Sequence, residues 1–264
     1  MTKSGENTKP FHIWEGIYPD FKSAMADADG LGFSGDVYLT RSLKVVKDCL
    51  ASLKLNQPID SFHKQRSINL PTTVALLLKD KKQIKILDFG GGFGVGYLTL
   101  VESIPTNLTN ISYTIVEVPE VCRIARKLHD AGVVYTSELP TAQHFDLIHA
   151  ASSIQYIEHW QELLAKFAAL KPEIILLSDV FAGSIDTFVT LQNYFESKMP
   201  HWFLSLNEIL ITLSVLGYEL IMKSYASAVR LDVIDVLPME NFPEELQLKQ
   251  TLHLLFRKIP TCTA

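Results

Sequence analysis

The sequence contains few cysteines, and none stands at a spacing typical of a zinc site or of a small disulfide framework. The three are Cys49, Cys122 and Cys262, an odd number without a CxxC or Cys–His pattern. A chain of 264 residues buries about 70–75% of its unfolded surface, so it needs neither device to hold a core. We therefore expect a reduced protein without structural zinc.

Two further absences narrow the class of protein. Basic residues are not in excess, since 24 Lys and Arg stand against 29 Asp and Glu for a net charge of −5. This balance argues against a protein that coats nucleic acid. The polar start MTKSGENTKP lacks the apolar region of a secretory signal. The longest apolar stretch, 203–222, is interrupted by polar residues and glycine, so we expect no membrane span and a cytoplasmic protein.

The chain divides into two parts with different patterns. Residues 1–82 have an aromatic start and two predicted helices, at 38–53 and 67–79, and we expect a helical extension or lid packed on the rest. In residues 83–264, short apolar runs alternate with amphipathic segments, which predicts an α/β domain with a parallel sheet covered on both faces. The predicted strands are 84–89, 113–118, 133–135, 145–150, 173–180, 218–224 and 251–258, and the predicted helices are 95–104, 121–132, 160–170 and 205–217.

Helix ends and strand ends carry further signals. Gly132 is a predicted C-cap, and Ser205 with Glu208 has the order of a capping box. Asp146 is interpreted as a solvent residue at a strand start. Ligands of such sheets bind at the carboxyl ends of the strands, so we look for a site there.

A glycine-rich turn follows the first strand of the predicted sheet. It reads LDFGGGFG, with Asp88, Gly90, Gly91, Gly92 and Gly94. Glycine lets a ligand approach the backbone closely, and the N-terminus of the next helix offers N–H donors. The dinucleotide fingerprint fails, because Val95 or Tyr97 stands where its last glycine is needed, and no Lys-Ser/Thr of a P-loop follows.

The pattern Asp-x-Gly-x-Gly-x-Gly instead resembles the first motif of class I S-adenosylmethionine-dependent methyltransferases. The resemblance implies a three-layer, Rossmann-like fold with a mostly parallel seven-stranded sheet and an antiparallel last strand. It also implies S-adenosylmethionine as cofactor. Asp88 can form an ion pair with the cofactor's ammonium group, and the backbone amides of the turn can donate hydrogen bonds to the cofactor's carboxylate. The structural alternative is a turn that is merely tight.

Other strand ends supply candidate cofactor contacts. Glu117 lies 117 − 94 = 23 residues after the last glycine, near the spacing of about 20 at which an acidic residue accepts ribose hydroxyls. Ser137 or Glu138, at the end of the third strand, are candidates for the adenine pocket. Ser152 is expected to line the cofactor pocket, although Ser152–Ser153 can also be a plain polar turn.

A closer resemblance covers about the first 220 residues. The sequence is similar to a narrower methyltransferase family, for which the methyl acceptor is not settled. The matching segments are WEGIYPDF (14–21), GFSGDVYL (32–39), ILDFGGGFG (86–94), VEVPEVC (116–122), ASSIQY (151–156) and PHWFLSLNE (200–208).

Candidate acceptor residues come from these same segments. Gln155 and Tyr156 follow the fourth strand, where this fold places the methyl-transfer pocket. Trp14 and Tyr18, with Tyr38, are candidates for a lid over the acceptor, or for plain packing of the extension onto the sheet. No metal constellation accompanies them, so no metal is expected.

An oxygen acceptor can require a general base, for which histidine is the usual residue. His201 is the first candidate, because it lies between aromatic residues after the fifth strand. His149 is more often a core histidine in such a strand, and His159 stands near a helix start.

The sequence therefore predicts an S-adenosylmethionine-dependent methyltransferase of a small-molecule or sugar-like acceptor, methylated at oxygen. Two alternatives stay open at this point. One is a catalytically silent module that binds the cofactor, and the other is a nucleotide-dependent oxidoreductase. Nucleic acid is disfavoured as a substrate, because Ser152-Ser153-Ile154-Gln155 differs from an Asn-Pro-Pro-Tyr-type tetrapeptide. The oligomeric state is open.

Overall fold

The computed structural model describes residues 10–129, 132–226, 229–230, 233–234 and 236–260. The first nine residues of the polar start and Cys262 lie outside the described residues. The eight described α-helices are α1 (Phe21–Ala26), α2 (Asp36–Lys54), α3 (Ser61–Lys64), α4 (Leu70–Asp80), α5 (Val95–Ser103), α6 (Pro119–Ala125), α7 (Trp160–Ala169) and α8 (Leu206–Val215). None of the helices within these ranges is long and apolar enough to cross a membrane.

Thirteen strands accompany the helices in the described part of the chain. They are β1 (Trp14–Tyr18), β2 (Ile84–Phe89), β3 (Ile111–Val116), β4 (Val133–Thr136), β5 (Leu147–Ala151), β6 (Ile174–Val180), β7 (Ala182–Gly183), β8 (Phe188–Tyr194), β9 (Ser197–Ser205), β10 (Tyr218–Ala226), β11 (Val229–Arg230), β12 (Val233–Ile234) and β13 (Thr251–Lys258).

The main sheet has seven strands in the order β10-β13-β6-β5-β2-β3-β4. Strands β4, β3, β2, β5 and β6 pair in parallel, and β13 runs antiparallel to both of its neighbours, β6 and β10. This confirms the expected mostly parallel sheet with an antiparallel last strand.

Alternating side chains of the strands build a core on each face of the sheet. In β2, Ile84 and Ile86 pack in the same cluster as Val46 of α2 and Val74 of α4. Leu87 points to the opposite face and packs in the cluster that contains Phe167 of α7. Strand β6 is buried at every position, as expected for a central strand covered on both sides. The three-layer arrangement follows from these two apolar faces.

A second sheet has the order β1-β8-β9-β7. Strand β1 pairs antiparallel with β8, with Trp14 opposite Gln192, so the N-terminal segment contributes a strand as well as helices. The expected extension is therefore not purely helical. Sequence analysis missed β8 and β9 because no typical turn residue separates them. The turn of their hairpin contains Phe195, which has a φ of 54°, where glycine or asparagine usually marks such a turn.

Two predicted helix signals differ from the structure. Helix α6 ends at Ala125, and Gly132 is not among the glycines with positive φ, so it does not form the predicted cap. Ser205 is the N-cap of α8, but its side chain makes no capping hydrogen bond. The predicted capping box is therefore absent, although the helix begins where it was expected.

Candidate functional site

The glycine-rich turn lies at the carboxyl edge of the main sheet, between β2 and α5. Gly90, Gly92 and Gly94 have φ values of 67°, 56° and 89°, a left-handed conformation that glycine adopts without penalty. A Cβ at Gly92 would have the Tyr38 hydroxyl at 3.9 Å as its nearest neighbour, so the Cα of Gly92 borders open space. The turn therefore leaves open space beside Gly92, at the edge of the sheet where ligands of such folds bind; we call this space the groove.

Glu117 holds the turn from the neighbouring strand end. Its Oε1 accepts a hydrogen bond from the Gly92 N–H at 2.9 Å, and its Oε2 accepts one from the Val118 N–H at 2.8 Å. Burial raises the pKa of Glu117; the two backbone hydrogen bonds oppose that shift, and the charge of Asp88 adds to it. Each carboxylate oxygen keeps a further lone pair that a ribose hydroxyl can use.

Asp88 lies beneath the turn, with 1% of its surface exposed. Its Oδ2 accepts from the Tyr113 hydroxyl at 2.7 Å, and its Oδ1 lies 2.8 Å from Nδ1 of His149. A Cβ on Gly91 would collide with this carboxylate, so the turn packs directly on it. Contact between Asp88 and the cofactor's ammonium stays a prediction, which the carboxylate's burial and internal partners do not favour.

His149 is a buried core residue, the alternative that sequence analysis preferred. Its Nε2 lies 3.2 Å from the Ser178 hydroxyl of β6. Tyr113, Asp88, His149 and Ser178 thus form a polar row across four adjacent strands, under the ligand edge. His159 is exposed at the start of α7.

The loop after β5 packs against the glycine-rich turn. Ser153 Oγ donates to the Phe89 carbonyl at 3.0 Å, and a Cβ at Gly90 would collide with the Ser153 side chain. Ser152 has a φ of 51°, and its Oγ accepts from Gln155 Nε2 at 3.1 Å. The buried Oε1 of Gln155 has no hydrogen-bond partner among the described residues. Ser137 follows β4 and is exposed.

Four aromatic rings gather above this edge, and we call them the aromatic cluster: Phe33, Tyr38, Tyr156 and Tyr194. The centre of the Phe33 ring lies 5.2 Å from that of Tyr38, 4.9 Å from that of Tyr156 and 5.7 Å from that of Tyr194. The Tyr156 hydroxyl donates to Gln192 Oε1 at 2.7 Å. Since Tyr38 also lies nearest to Gly92, the cluster adjoins the glycine-rich turn.

Hydrogen bonds fasten the N-terminal segment over the site on two sides. The Ser34 hydroxyl donates to Glu120 Oε2 at 3.1 Å, at the first turn of α6. The Gly32 N–H donates to Ser197 Oγ at 2.9 Å, at the start of β9. The segment that carries Phe33 is therefore tied to both the main and the second sheet.

The two predicted lid residues Trp14 and Tyr18 lie elsewhere. Trp14 is 0% exposed and packs against Phe181 and Phe203, with ring centres 5.5 and 5.3 Å away. Tyr18 packs in a separate cluster with Phe21 of α1. Their contact with an acceptor stays a prediction, and the buried indole offers no surface for one.

His201 is completely buried in β9. Its ring centre lies 5.3 Å from that of Tyr156 and 4.5 Å from that of Phe181. Its ring therefore contacts the aromatic cluster at Tyr156 and has no exposed surface of its own.

Sequence analysis missed Arg66, Asp179 and Tyr194. Arg66 lies in the 3-10 turn Gln65–Ser67, and its Nε donates to Asp179 Oδ2 at 3.1 Å. Asp179, near the end of β6, has a φ of 49°, and strained residues of this kind cluster at functional sites. No local pattern marks the pair, because the two residues are 113 positions apart.

The fold and the strand-end groove define an α/β protein of the class I methyltransferase type. The chain matches the model of a family described as a methyltransferase domain, over residues 62–214. It therefore belongs to this family, and it is an S-adenosylmethionine-dependent methyltransferase. That assignment decides against the nucleotide-dependent oxidoreductase. No curated protein shows significant similarity to the sequence.

Solved structures share the fold at low sequence identity. One is the 1,6-didemethyltoxoflavin-N1-methyltransferase of Burkholderia thailandensis, at 15% identity and a TM-score of 0.50, with 84% of this chain and 90% of that chain covered. Another is an S-adenosylmethionine-dependent methyltransferase of Methanosarcina mazei, at 13% identity and a TM-score of 0.50, with 71% and 98% covered.

The geometry fits the cofactor. The open backbone at Gly92 and the carboxylate of Glu117 suit a nucleoside with an amino-acid tail, and the unpartnered Oε1 of Gln155 can accept an N–H. When bound, the cofactor supplies an electrophilic methyl group. Among the described residues, no group of three His, Cys, Asp or Glu side chains is arranged to hold a metal ion.

Proposed function

We propose that this methyltransferase acts on a small-molecule or sugar-like acceptor and methylates an oxygen atom. The observation that supports this is the aromatic cluster, which brings the hydroxyl-bearing rings of Tyr38, Tyr156 and Tyr194 together beside the glycine-rich turn. Methyl transfer depends mainly on alignment of the acceptor and exclusion of water. The covering segment that carries Phe33 and Tyr38 suits a small acceptor better than a polymer. We also propose membership in the narrower methyltransferase family that the sequence resembles.

The cofactor residues of the proposal are those at the strand ends. Gly90, Gly91, Gly92 and Gly94 shape the backbone cradle, and Glu117 accepts the ribose hydroxyls. Ser137, which is exposed after β4, is the proposed contact of the adenine ring, and Ser152 is proposed to line the groove. Asp88 supports the cradle from below.

The acceptor side of the proposal consists of Gln155 and Tyr156 together with the other rings of the aromatic cluster. His201 is the proposed general base, because its ring packs against Tyr156. Since the imidazole is buried, this role requires the acceptor to enter the cluster as far as Tyr156. The proposed cellular location is the cytoplasm, and the proposed organisation is a lid of residues 1–82 on a domain of residues 83–264.

Two measurements test the proposal. Calorimetry should show binding of S-adenosylhomocysteine and none of NAD. Incubation of a metabolite extract with cofactor carrying a carbon-13 methyl group should yield an O-methyl signal by NMR. Exclusive N- or C-methyl products would contradict the oxygen assignment. Binding without any turnover would favour the silent module.

The role of His201 has its own test. General-base catalysis contributes about 10²–10⁴-fold, so His201→Asn should lower kcat by at least about 100-fold and remove the acidic limb of the pH profile, because a base acts only when unprotonated, while S-adenosylhomocysteine still binds. A kcat within threefold of wild type would exclude His201 as the base.

A further inference from the structure

Arg66 places a cation beside the aromatic cluster. Its side chain is 50% exposed, whereas its carboxylate partner Asp179 is 1% exposed. Asp179 is held in turn by the Thr251 hydroxyl, which donates to Oδ1 at 2.5 Å. The ion pair is therefore anchored on its acidic side and open to solvent on its basic side.

The tyrosines of the cluster lie around this guanidinium. Burial lowers the pKa of Arg66. The charge of Asp179 and the electrostatic interactions with Tyr194, Tyr156 and Tyr38 raise it by more than burial lowers it, so the net shift is upward. The group therefore carries a permanent positive charge. Its own pKa is not needed to place it, since the bond to Asp179 fixes its position at the carboxyl end of β6.

The guanidinium has spare hydrogen-bonding capacity. Arginine carries five N–H donors in a planar fork, and only the Nε–H of Arg66 donates to a partner within the described part of the chain. The donors on Nη1 and Nη2 are the pair that binds a carboxylate or phosphate bidentately.

Strand order separates this charge from the ribose site. Glu117 follows β3 and Asp179 ends β6, with β2 and β5 between them. Adjacent strands are about 4.8 Å apart, so the two acids lie roughly three strand spacings from each other along the edge. Arg66 thus lies on the far side of the glycine-rich turn from the nucleoside end of the groove.

We propose that Arg66 binds a carboxylate or phosphate group of the methyl acceptor, while the aromatic cluster contacts the acceptor's apolar body. This inference rests on the proposed small-molecule function and specifies its substrate class as acidic. Asp179 orients the guanidinium and lowers its net charge, which moderates affinity for the anion.

The first experiment measures binding of two acidic probes, benzoate and phenyl phosphate, to the protein saturated with S-adenosylhomocysteine. Arg66→Met should reduce the affinity for the probe that binds by at least about tenfold, the loss expected when a hydrogen bond to a charged group is removed. The matched control is Arg257→Met, since Arg257 is 53% exposed and also paired with a carboxylate, that of Glu219 at 2.7 Å. Benzamide, which is neutral, should not distinguish these variants.

Three outcomes overturn the inference. In the first, neither probe binds the wild type. In the second, the affinity of Arg66→Met for the probes is within threefold of the wild-type affinity. In the third, Arg66→Met binds S-adenosylhomocysteine at least tenfold more weakly but binds 5′-methylthioadenosine, which lacks the amino-acid tail, with wild-type affinity. The last result would assign Arg66 to the cofactor's carboxylate. Failure of the wild type to bind S-adenosylhomocysteine at all is a separate result, because it contradicts the methyltransferase assignment.

A second variant decides the question if Arg66→Met does not fold. Asp179→Asn removes the neutralising charge and keeps a residue type that tolerates the left-handed φ of 49°. We expect acidic probes to bind about threefold more tightly or better, since the guanidinium is then uncompensated while the amide oxygen of asparagine can still accept its Nε–H and keep it oriented. Unchanged or weaker binding would contradict the proposal.

Discussion

Asp88 and His149 form a buried pair directly beneath the glycine-rich turn, with Oδ1 of Asp88 2.8 Å from Nδ1 of His149. The two residues lie opposite each other in the adjacent parallel strands β2 and β5. The motif's acidic residue thus supports the glycine-rich turn from below and is bonded to a residue of the neighbouring strand.

Removal of the Asp88 carboxylate should destabilise the fold. In Asp88→Ala, the Tyr113 hydroxyl and the His149 imidazole lose a buried partner, and breaking such a network costs about 3–5 kcal/mol. Tyr113→Phe removes one hydrogen bond and should cost only about 1 kcal/mol. Urea denaturation of the two variants measures the difference. A loss below about 1 kcal/mol in Asp88→Ala would show that the pair does not support the turn.

Gly92→Ala should reduce cofactor affinity, whereas Gly217→Ala should not. Both Gly92 and Gly217 have positive φ, at 56° and 84°, with no atom closer than 3.9 Å to a Cβ at the first and none within 4 Å at the second. Each alanine should therefore cost about 1–2 kcal/mol of stability. Only the Cβ at position 92 enters the groove, so Gly92→Ala should bind S-adenosylhomocysteine at least tenfold more weakly in calorimetry. Equal affinities in the two variants would place the cofactor elsewhere.

Cofactor binding should weaken in acid through Glu117. Its pKa is raised by burial, against the opposing hydrogen bonds from Val118 and Gly92. The ionised form accepts hydroxyl donors, so affinity for S-adenosylhomocysteine should fall as pH decreases through this pKa, above the ordinary glutamate range. The sign for stability is the reverse: the contribution of Glu117 to folding is present below its unfolded pKa and is lost as pH rises through the folded one.

Glu117→Gln tests this assignment. The variant should lose the acidic pH dependence of binding and bind about tenfold more weakly at neutral pH. Glu219→Gln, at the exposed ion pair with Arg257, serves as the control and should match wild type. If pH dependence persists in Glu117→Gln, another group is responsible.

Asp146 should stabilise the fold above acidic pH. Contrary to its interpretation as a solvent residue, it is 8% exposed, and its carboxylate accepts from Lys81 Nζ at 2.5 Å and from the Lys85 N–H at 2.8 Å. Burial raises its pKa, but the bonds and charge of Lys81 and the Lys85 amide lower it further, for a net downward shift.

The sign of that shift fixes the expected pH dependence. A lowered folded pKa means that the stabilisation is present above the unfolded pKa and lost as pH falls through the folded value. Asp146→Asn should lose about 2–3 kcal/mol at neutral pH and show a flatter acid limb in denaturation curves. An unchanged acid limb would contradict the role of this carboxylate.

Local patterns predicted the main sheet because they depend on neighbours in the chain. The apolar runs of β2 and β6 and the glycines after β2 carry signals within a few residues, and these predicted the fold class and the glycine-rich turn. The second sheet carried weaker signals. Strand β1 lies in a short aromatic stretch, and the β8–β9 hairpin turns at Phe195 without a turn residue.

The sequence by itself determined the strand–helix alternation, the glycine-rich turn and hence the class of enzyme, since each depends on residues close together in the chain. Only the tertiary structure decided that Asp88 lies under the turn, that Phe33 packs with Tyr38 beside Gly92, and that Trp14 is buried in a separate cluster. It also joined Arg66 to Asp179. These contacts follow from strand order and from packing of the N-terminal segment, which bring together residues that no local spacing relates.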